Sequence, residues 1–148
     1  MPSFTSQIPN LKQIGPICTV KIGVSSVASD ILSAKGEKIH QPVEVSALID
    51  TGASGTCITP EIVKSLNLIP RGATQIATPS TKAHPCDVYD VSLLLPNGVA
   101  IPTIQVIETP LEGQNIQCLI GRDVLAHGTL NSTSATPTRL VCPSNQLA

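Results

Sequence analysis

Val45-Ser46-Ala47-Leu48-Ile49-Asp50-Thr51-Gly52-Ala53-Ser54 is an apolar run that ends on a single carboxylate and a tight turn. Val43 to Ile49 reads as a strand, and burying its apolar side chains stiffens the backbone on which Asp50 sits. Thr51 supplies a hydroxyl for hydrogen bonding beneath that carboxylate. Gly52 lets the backbone turn closely and brings a peptide N–H toward the Asp50 oxygens, where any Cβ would crowd the approach. Further along, Cys118-Leu119-Ile120 runs into Gly121-Arg122-Asp123-Val124-Leu125, a second apolar strand that breaks at glycine and opens a short helix.

An isolated Asp-Thr-Gly is usually an ordinary turn. The apolar strand before it, Cys57-Ile58-Thr59 after it and the Gly-Arg-Asp segment downstream change its meaning. Together the two segments resemble the retropepsin family, the single-domain aspartic proteases of retroviral type. The resemblance implies an all-β, retropepsin-like half-barrel with one or two short helices. It makes Asp50 the catalytic residue, with Thr51, Gly52, Ala53 and Ser54 supporting it and leaving room for a substrate main chain. Gly121, Arg122 and Asp123 become a structural motif: Cys118 to Ile120 threads beside Asp50, and Gly121 lets the chains pass closely. In family members the arginine matching Arg122 pairs with an acidic residue just after Asp-Thr-Gly-Ala. Here Ser54 and Gly55 stand there, which leaves carbonyls, Asp123 or Glu61 as partners for Arg122.

The chemistry implied needs two carboxylates sharing one proton. Asp30, Asp87, Asp90 and Asp123 each precede Ile or Val, so none begins a second such triplet. The chain encodes half a site, and a two-fold homodimer with Asp50 near the axis completes it. The expected activity is an aspartic endopeptidase acting on peptide or protein substrates, without metal, cofactor or covalent intermediate. The alternative is a catalytically silent member serving as a dimerisation or peptide-binding module.

Composition fits one domain. The chain has 148 residues, enough for a sizeable core, and 41% hydrophobic residues, almost all aliphatic. One Phe, one Tyr and no Trp argue against stacking on bases or sugars. Nine Lys and Arg scattered among ten Asp and Glu give a net charge of −1 and no basic face for nucleic acid. No apolar run reaches the roughly 20 residues of a membrane helix, and the N-terminus lacks the pattern of a secretory signal. The expectation is a cytoplasmic protein that binds neither nucleic acid nor membrane. The five cysteines, at 18, 57, 86, 118 and 142, form no Cys-x-x-Cys pair, which favours reduced thiols. Cys57 and Cys118 are expected in the core and Cys86 at the surface. His40, His84 and His127 have no metal-ligand spacing, so no metal site is expected.

The organisation expected is a flexible arm over residues 1–13, a domain over 14–141 and a tail over 142–148. Ile14 to Val24 alternates as a strand with Cys18, Val20 and Ile22 on one face. Ser25 to Gln41 reads as a hairpin or long loop. Thr59 caps a short helix with Pro60 at its first position. Thr78, Pro79, Ser80 and Thr81 form the tip of a hairpin placed where retropepsins carry the flap, a mobile cover over bound peptide. Val91 to Leu95 and Val99 to Ile101 flank an Asn-Gly turn. Ile104 to Ile107 and Arg139 to Val141 are further strands, the last near the dimer interface.

Overall fold

Alternation in Ile17–Val24 (β2) puts Cys18, Val20 and Ile22 inward and Thr19 and Lys21 outward, and the strand pairs antiparallel with Val43–Ile49 (β3) from Ile17↔Leu48 to Ile22↔Val43. This computed structural model describes residues 2–78, 81–131 and 138–141. On its other side β3 pairs parallel with Cys118–Ile120 (β8), so the strand ending at Asp50 lies inside the sheet. β8 pairs with Cys57–Ile58 (β4), and β4 with Ala100–Glu108 (β7). β7 pairs with Thr81–Leu94 (β6), whose last residues return to β2 from Lys21↔Leu94 to Val24↔Val91. The ring β2-β3-β8-β4-β7-β6 therefore closes on itself, and Gly72–Thr78 (β5) is added on the outer part of β6. Closure removes the exposed edges an open sheet would leave. Ile22, Ile58, Leu93, Ile120 and Val124 are fully buried within it.

The β6–β7 hairpin turns through Pro96-Asn97-Gly98, with Gly98 at φ +79 and the Asn97 side chain accepting from the Val99 N–H at 3.0 Å. The two strands expected around Val99 to Ile107 are one, β7, because Pro102 sits where the pairing to β6 shifts register, between Leu93↔Ile101 and Val91↔Ile104, and the ladder continues on both sides. Pairing of β5 with β6 shifts register between Ile76 and Thr78.

Four short helices accompany the strands among the described residues, where one or two were expected. Leu11–Ile14 (α1) is a single turn before β2. Ser26–Ala34 (α2) occupies the stretch read as a hairpin or loop. Ser25 starts it as an extended N-cap whose buried side chain accepts the Ala28 N–H at 3.1 Å. Pro60–Ser65 (α3) begins after Thr59, although the Thr59 hydroxyl makes no capping bond. Arg122–Leu125 (α4) follows β8.

Ser3–Ser6 (β1), assigned from sequence to the arm, pairs antiparallel with Thr138–Val141 (β10), and β10 pairs with Thr129–Asn131 (β9). The result is a separate three-stranded sheet in the order β1-β10-β9. The expected tail, 142–148, lies outside the described residues.

Candidate active site

Asp50 leaves β3 with its N–H on the Ile120 carbonyl at 2.9 Å, one step beyond the last β3–β8 pair. Its carboxylate Oδ1 accepts the Gly52 N–H at 2.8 Å, and its carbonyl accepts the Ala53 N–H at 3.2 Å. A Cβ on Gly52 would lie 3.1 Å from Asp50 Oδ1, so glycine gives the carboxylate room to take that bond. Asp50 is half-buried; Thr51, Gly52 and Ser54 are exposed. The backbone thus holds one carboxylate at the open end of a buried strand.

Gly121 follows directly from β8. A Cβ there would stand 2.5 Å from the Gly55 carbonyl carbon and 2.6 Å from its oxygen, closer than any side chain permits. That contact fixes the distance between the 50–56 turn and the start of α4. Arg122 donates its backbone N–H to the Ala53 carbonyl at 2.9 Å and Nη1 to the Thr51 carbonyl at 3.4 Å. Of the partners open to Arg122 from sequence, it takes a carbonyl of the Asp-Thr-Gly turn itself.

Asp123 turns the other way, to Thr56. Oδ2 accepts the Thr56 N–H at 3.0 Å, and Oδ1 accepts the Thr56 hydroxyl at 2.8 Å and the Val124 N–H at 2.9 Å. The Thr56 hydroxyl in turn accepts the Gly121 N–H at 3.2 Å. Thr56 is buried, so these bonds satisfy groups with no access to water. Sequence reading passed over Thr56. The available signal was a hydroxyl immediately before the apolar pair Cys57-Ile58, where a buried strand begins and a polar side chain needs a partner.

Cys57 lies below this turn, its thiol pushed up to about 11 by burial, with the charges of Asp123, Cys86 and Asp50 acting in the same direction. It is held as a neutral thiol and not prepared as a nucleophile. Burial also raises Cys18 to about 12, and Cys118 further. Cys86, expected at the surface, is buried: it lies on the same face of β6 as buried Val88. Tyr89 donates its hydroxyl to Glu108 Oε2 at 2.8 Å across β6 and β7.

Thr78 ends β5 and pairs with Thr81, which begins β6; Pro79 and Ser80 lie outside the described residues. The hairpin is tied at its base, where Arg71 gives its N–H to the Val88 carbonyl at 2.7 Å and its guanidinium to Asp90. Among the described residues no group of three or more His, Cys, Asp or Glu is arranged to hold a metal ion. No helix there is long and apolar enough to cross a membrane.

The family model described as aspartyl protease matches residues 36–124, a span that includes both Asp50 and the Gly121-Arg122-Asp123 turn. Solved structures with a similar chain path include a retropepsin-like aspartic protease from Rickettsia conorii, at 14% identity and a TM-score of 0.49, covering 84% of this chain and 91% of that one. The simian foamy virus (mac) protease matches at 16% identity and a TM-score of 0.43, covering 72% and 89%. The retroviral protease-like domain of Ddi1 from Leishmania major matches at 16% identity and a TM-score of 0.42, covering 88% and 98%. No curated protein sequence matches the chain.

Proposed function

The chain belongs to the aspartyl protease family, and from that premise we propose that it is a homodimeric aspartic endopeptidase whose catalytic pair is Asp50 from each of two copies. The observation that carries this reading is the Asp50 turn: one carboxylate on a buried strand, oriented by the Gly52 N–H, on a turn otherwise open to solvent. Because the sequence has one Asp-Thr-Gly, the second carboxylate comes from a second copy across a two-fold axis.

In the dimer one Asp50 is ionised and the other protonated. The ionised carboxylate takes a proton from a water molecule as its oxygen attacks the scissile carbonyl carbon. The protonated one donates a hydrogen bond to the carbonyl oxygen, where negative charge develops. When the tetrahedral intermediate collapses, the C–N bond breaks and the amine nitrogen leaves with a proton from the pair. Thr51, Gly52, Ala53 and Ser54 support the carboxylate and line the path of the substrate main chain. The hairpin bearing Thr78, Pro79, Ser80 and Thr81 covers it, excluding water and offering backbone hydrogen bonds. Gly121, Arg122 and Asp123 hold the turn from behind.

The test is digestion of a complex peptide mixture, read by mass spectrometry, by concentrated wild-type and Asp50→Ala protein from about pH 4 to 7. Sedimentation of both proteins accompanies it. Cleavage confined to a dimeric wild type is the expected result, with Asp50→Ala folded because, among the described residues, its carboxylate bonds only the Gly52 N–H. Activity that persists in Asp50→Ala would sink the mechanism. A dimer that cleaves nothing would move the protein to the silent peptide-binding class.

A further inference from the structure

A groove of about 540 Å³ opens between α2, the 35–40 segment after it and the 66–71 segment between α3 and β5. It shares no lining residue with the Asp50 turn, so a role for this groove does not depend on Asp50 being catalytic. Its size suits a binding cleft. Its lining explains apolar side chains that the fold leaves in water. Val27, Ile31 and Ile69 are 60%, 51% and 84% exposed, and all three line this one groove. Val27 and Ile31 stand one helical turn apart on α2, and Leu68 continues the apolar floor toward α3. Large aliphatic side chains brought together at a surface mark a place where something docks.

The charges around the floor narrow the occupant. Arg71 and Asp90 neutralise each other at one end. The remaining ionisable groups are Lys35, Lys38 and His40 against a single Glu37. An apolar floor with a rim that is cationic on balance complements a ligand with apolar side chains and carboxylates. We propose that the groove is a docking site for an apolar peptide segment carrying Asp or Glu residues. The groove reaches the Arg71–Asp90 pair at the base of the β5–β6 hairpin, so a docked segment also braces that hairpin from its base.

The experiment is fluorescence anisotropy of the full chain with a fluorescein-labelled synthetic peptide of leucines and glutamates, beside a twin carrying lysines in place of glutamates. The leucine–glutamate peptide is expected to bind saturably and more tightly than its twin. The double change Ile31→Ser and Ile69→Ser weakens it about tenfold or more. Lys35→Glu with Lys38→Glu weakens it too and narrows the gap to the lysine twin. All four positions are exposed, so circular dichroism of these variants should match wild type. Equal affinity for the two peptides, or affinity unmoved by the Ile31→Ser, Ile69→Ser pair, overturns the proposal. So does sodium decanoate that binds the groove while the acidic peptide does not, which would make the site one for amphiphiles. A drop in sedimentation coefficient in Ile69→Ser would assign the face to a second copy of the chain and likewise reject the peptide.

Discussion

The Asp50 turn and the α2 groove both face water, and they are held by opposite means. The turn is tied to the start of α4 by backbone bonds, by the Thr56–Asp123 pair and by glycine-on-glycine contact. Few of its own side chains are apolar; the carboxylates of Asp50 and Asp123 and the buried Thr56 hydroxyl are hydrogen-bonded, while the Thr51 and Ser54 side chains face water. The α2 wall has its Ser25 cap and a bond between the Ser26 and Thr103 hydroxyls, at 3.2 Å, and otherwise presents aliphatic side chains outward. The contrast separates two uses of a surface. One wall fixes a single group in place, and the other offers area without fixing anything.

The sharpest way to break the first wall is Gly121→Ala. The added methyl meets Gly55 backbone, which has no rotamer by which to move aside, so a loss of about 3 kcal/mol is expected, at the upper end of overpacking costs. Urea unfolding measures it; a loss below about 0.5 kcal/mol would show that the two turns are not rigidly opposed. Thr56→Val keeps the shape but removes the hydroxyl between Asp123 and Gly121, at an expected cost of about 1–3 kcal/mol. Thr56→Ser should recover most of it. If Val is as stable as Ser, packing and not the hydrogen bonds secures the turn.

The core beneath the first wall carries its own pH dependence. Cys57 and Cys18 rise from an ordinary value of 9.0 to about 11 and about 12, and Tyr89 from 10.0 to about 12, all mainly through burial. The fold therefore keeps protons that the unfolded chain releases earlier. This contribution to stability is complete below pH 9 and drains away as pH climbs through 11 to 12. A thermal midpoint that held steady from pH 9 to 11 would contradict it. The smallest effect belongs to the second wall: Ile69→Ser should change stability by no more than about 0.5 kcal/mol, since its side chain is 84% exposed. A larger loss would mean that the groove is part of the core after all.

The same contrast explains what could be read from the sequence. β3 was legible to its ends, Val43 and Ile49, because Val43, Val45, Ala47 and Ile49 alternate with Glu44 and Ser46 onto one face, buried from Val45 onward, and the run stops at a turn triplet. The β6–β7 hairpin was legible from Asn97-Gly98, where the turn demands a particular backbone. The closeness of Gly121 to the first turn was expected from the family pattern, but Thr56 was not, because a buried hydroxyl looks like any other threonine until its partner is in place. α2 escaped because its apolar residues face outward. Ser25 to Gln41 is polar, with four Ser, two Lys and one Gly, and only the Ser25 cap distinguishes a helix from a loop. Cys86 was misplaced for a related reason: its neighbours in sequence are polar, while its neighbours along the β6 face are not.

Parallel pairing of β3 with β8 also sets an order of events in time. The two strands come from the first third and the last quarter of the chain, and nothing local can substitute for one with the other. Such long-range closure costs entropy before it returns any contact, and it slows folding relative to hairpins such as β6–β7. On the ribosome the Asp-Thr-Gly letters emerge long before Ile120 does. Until residues 118–124 have been made and docked, the Asp50 N–H has no Ile120 carbonyl to meet, and the turn lacks its backing. The topology thus acts as a clock, withholding the geometry of the site from a growing chain that already carries its residues.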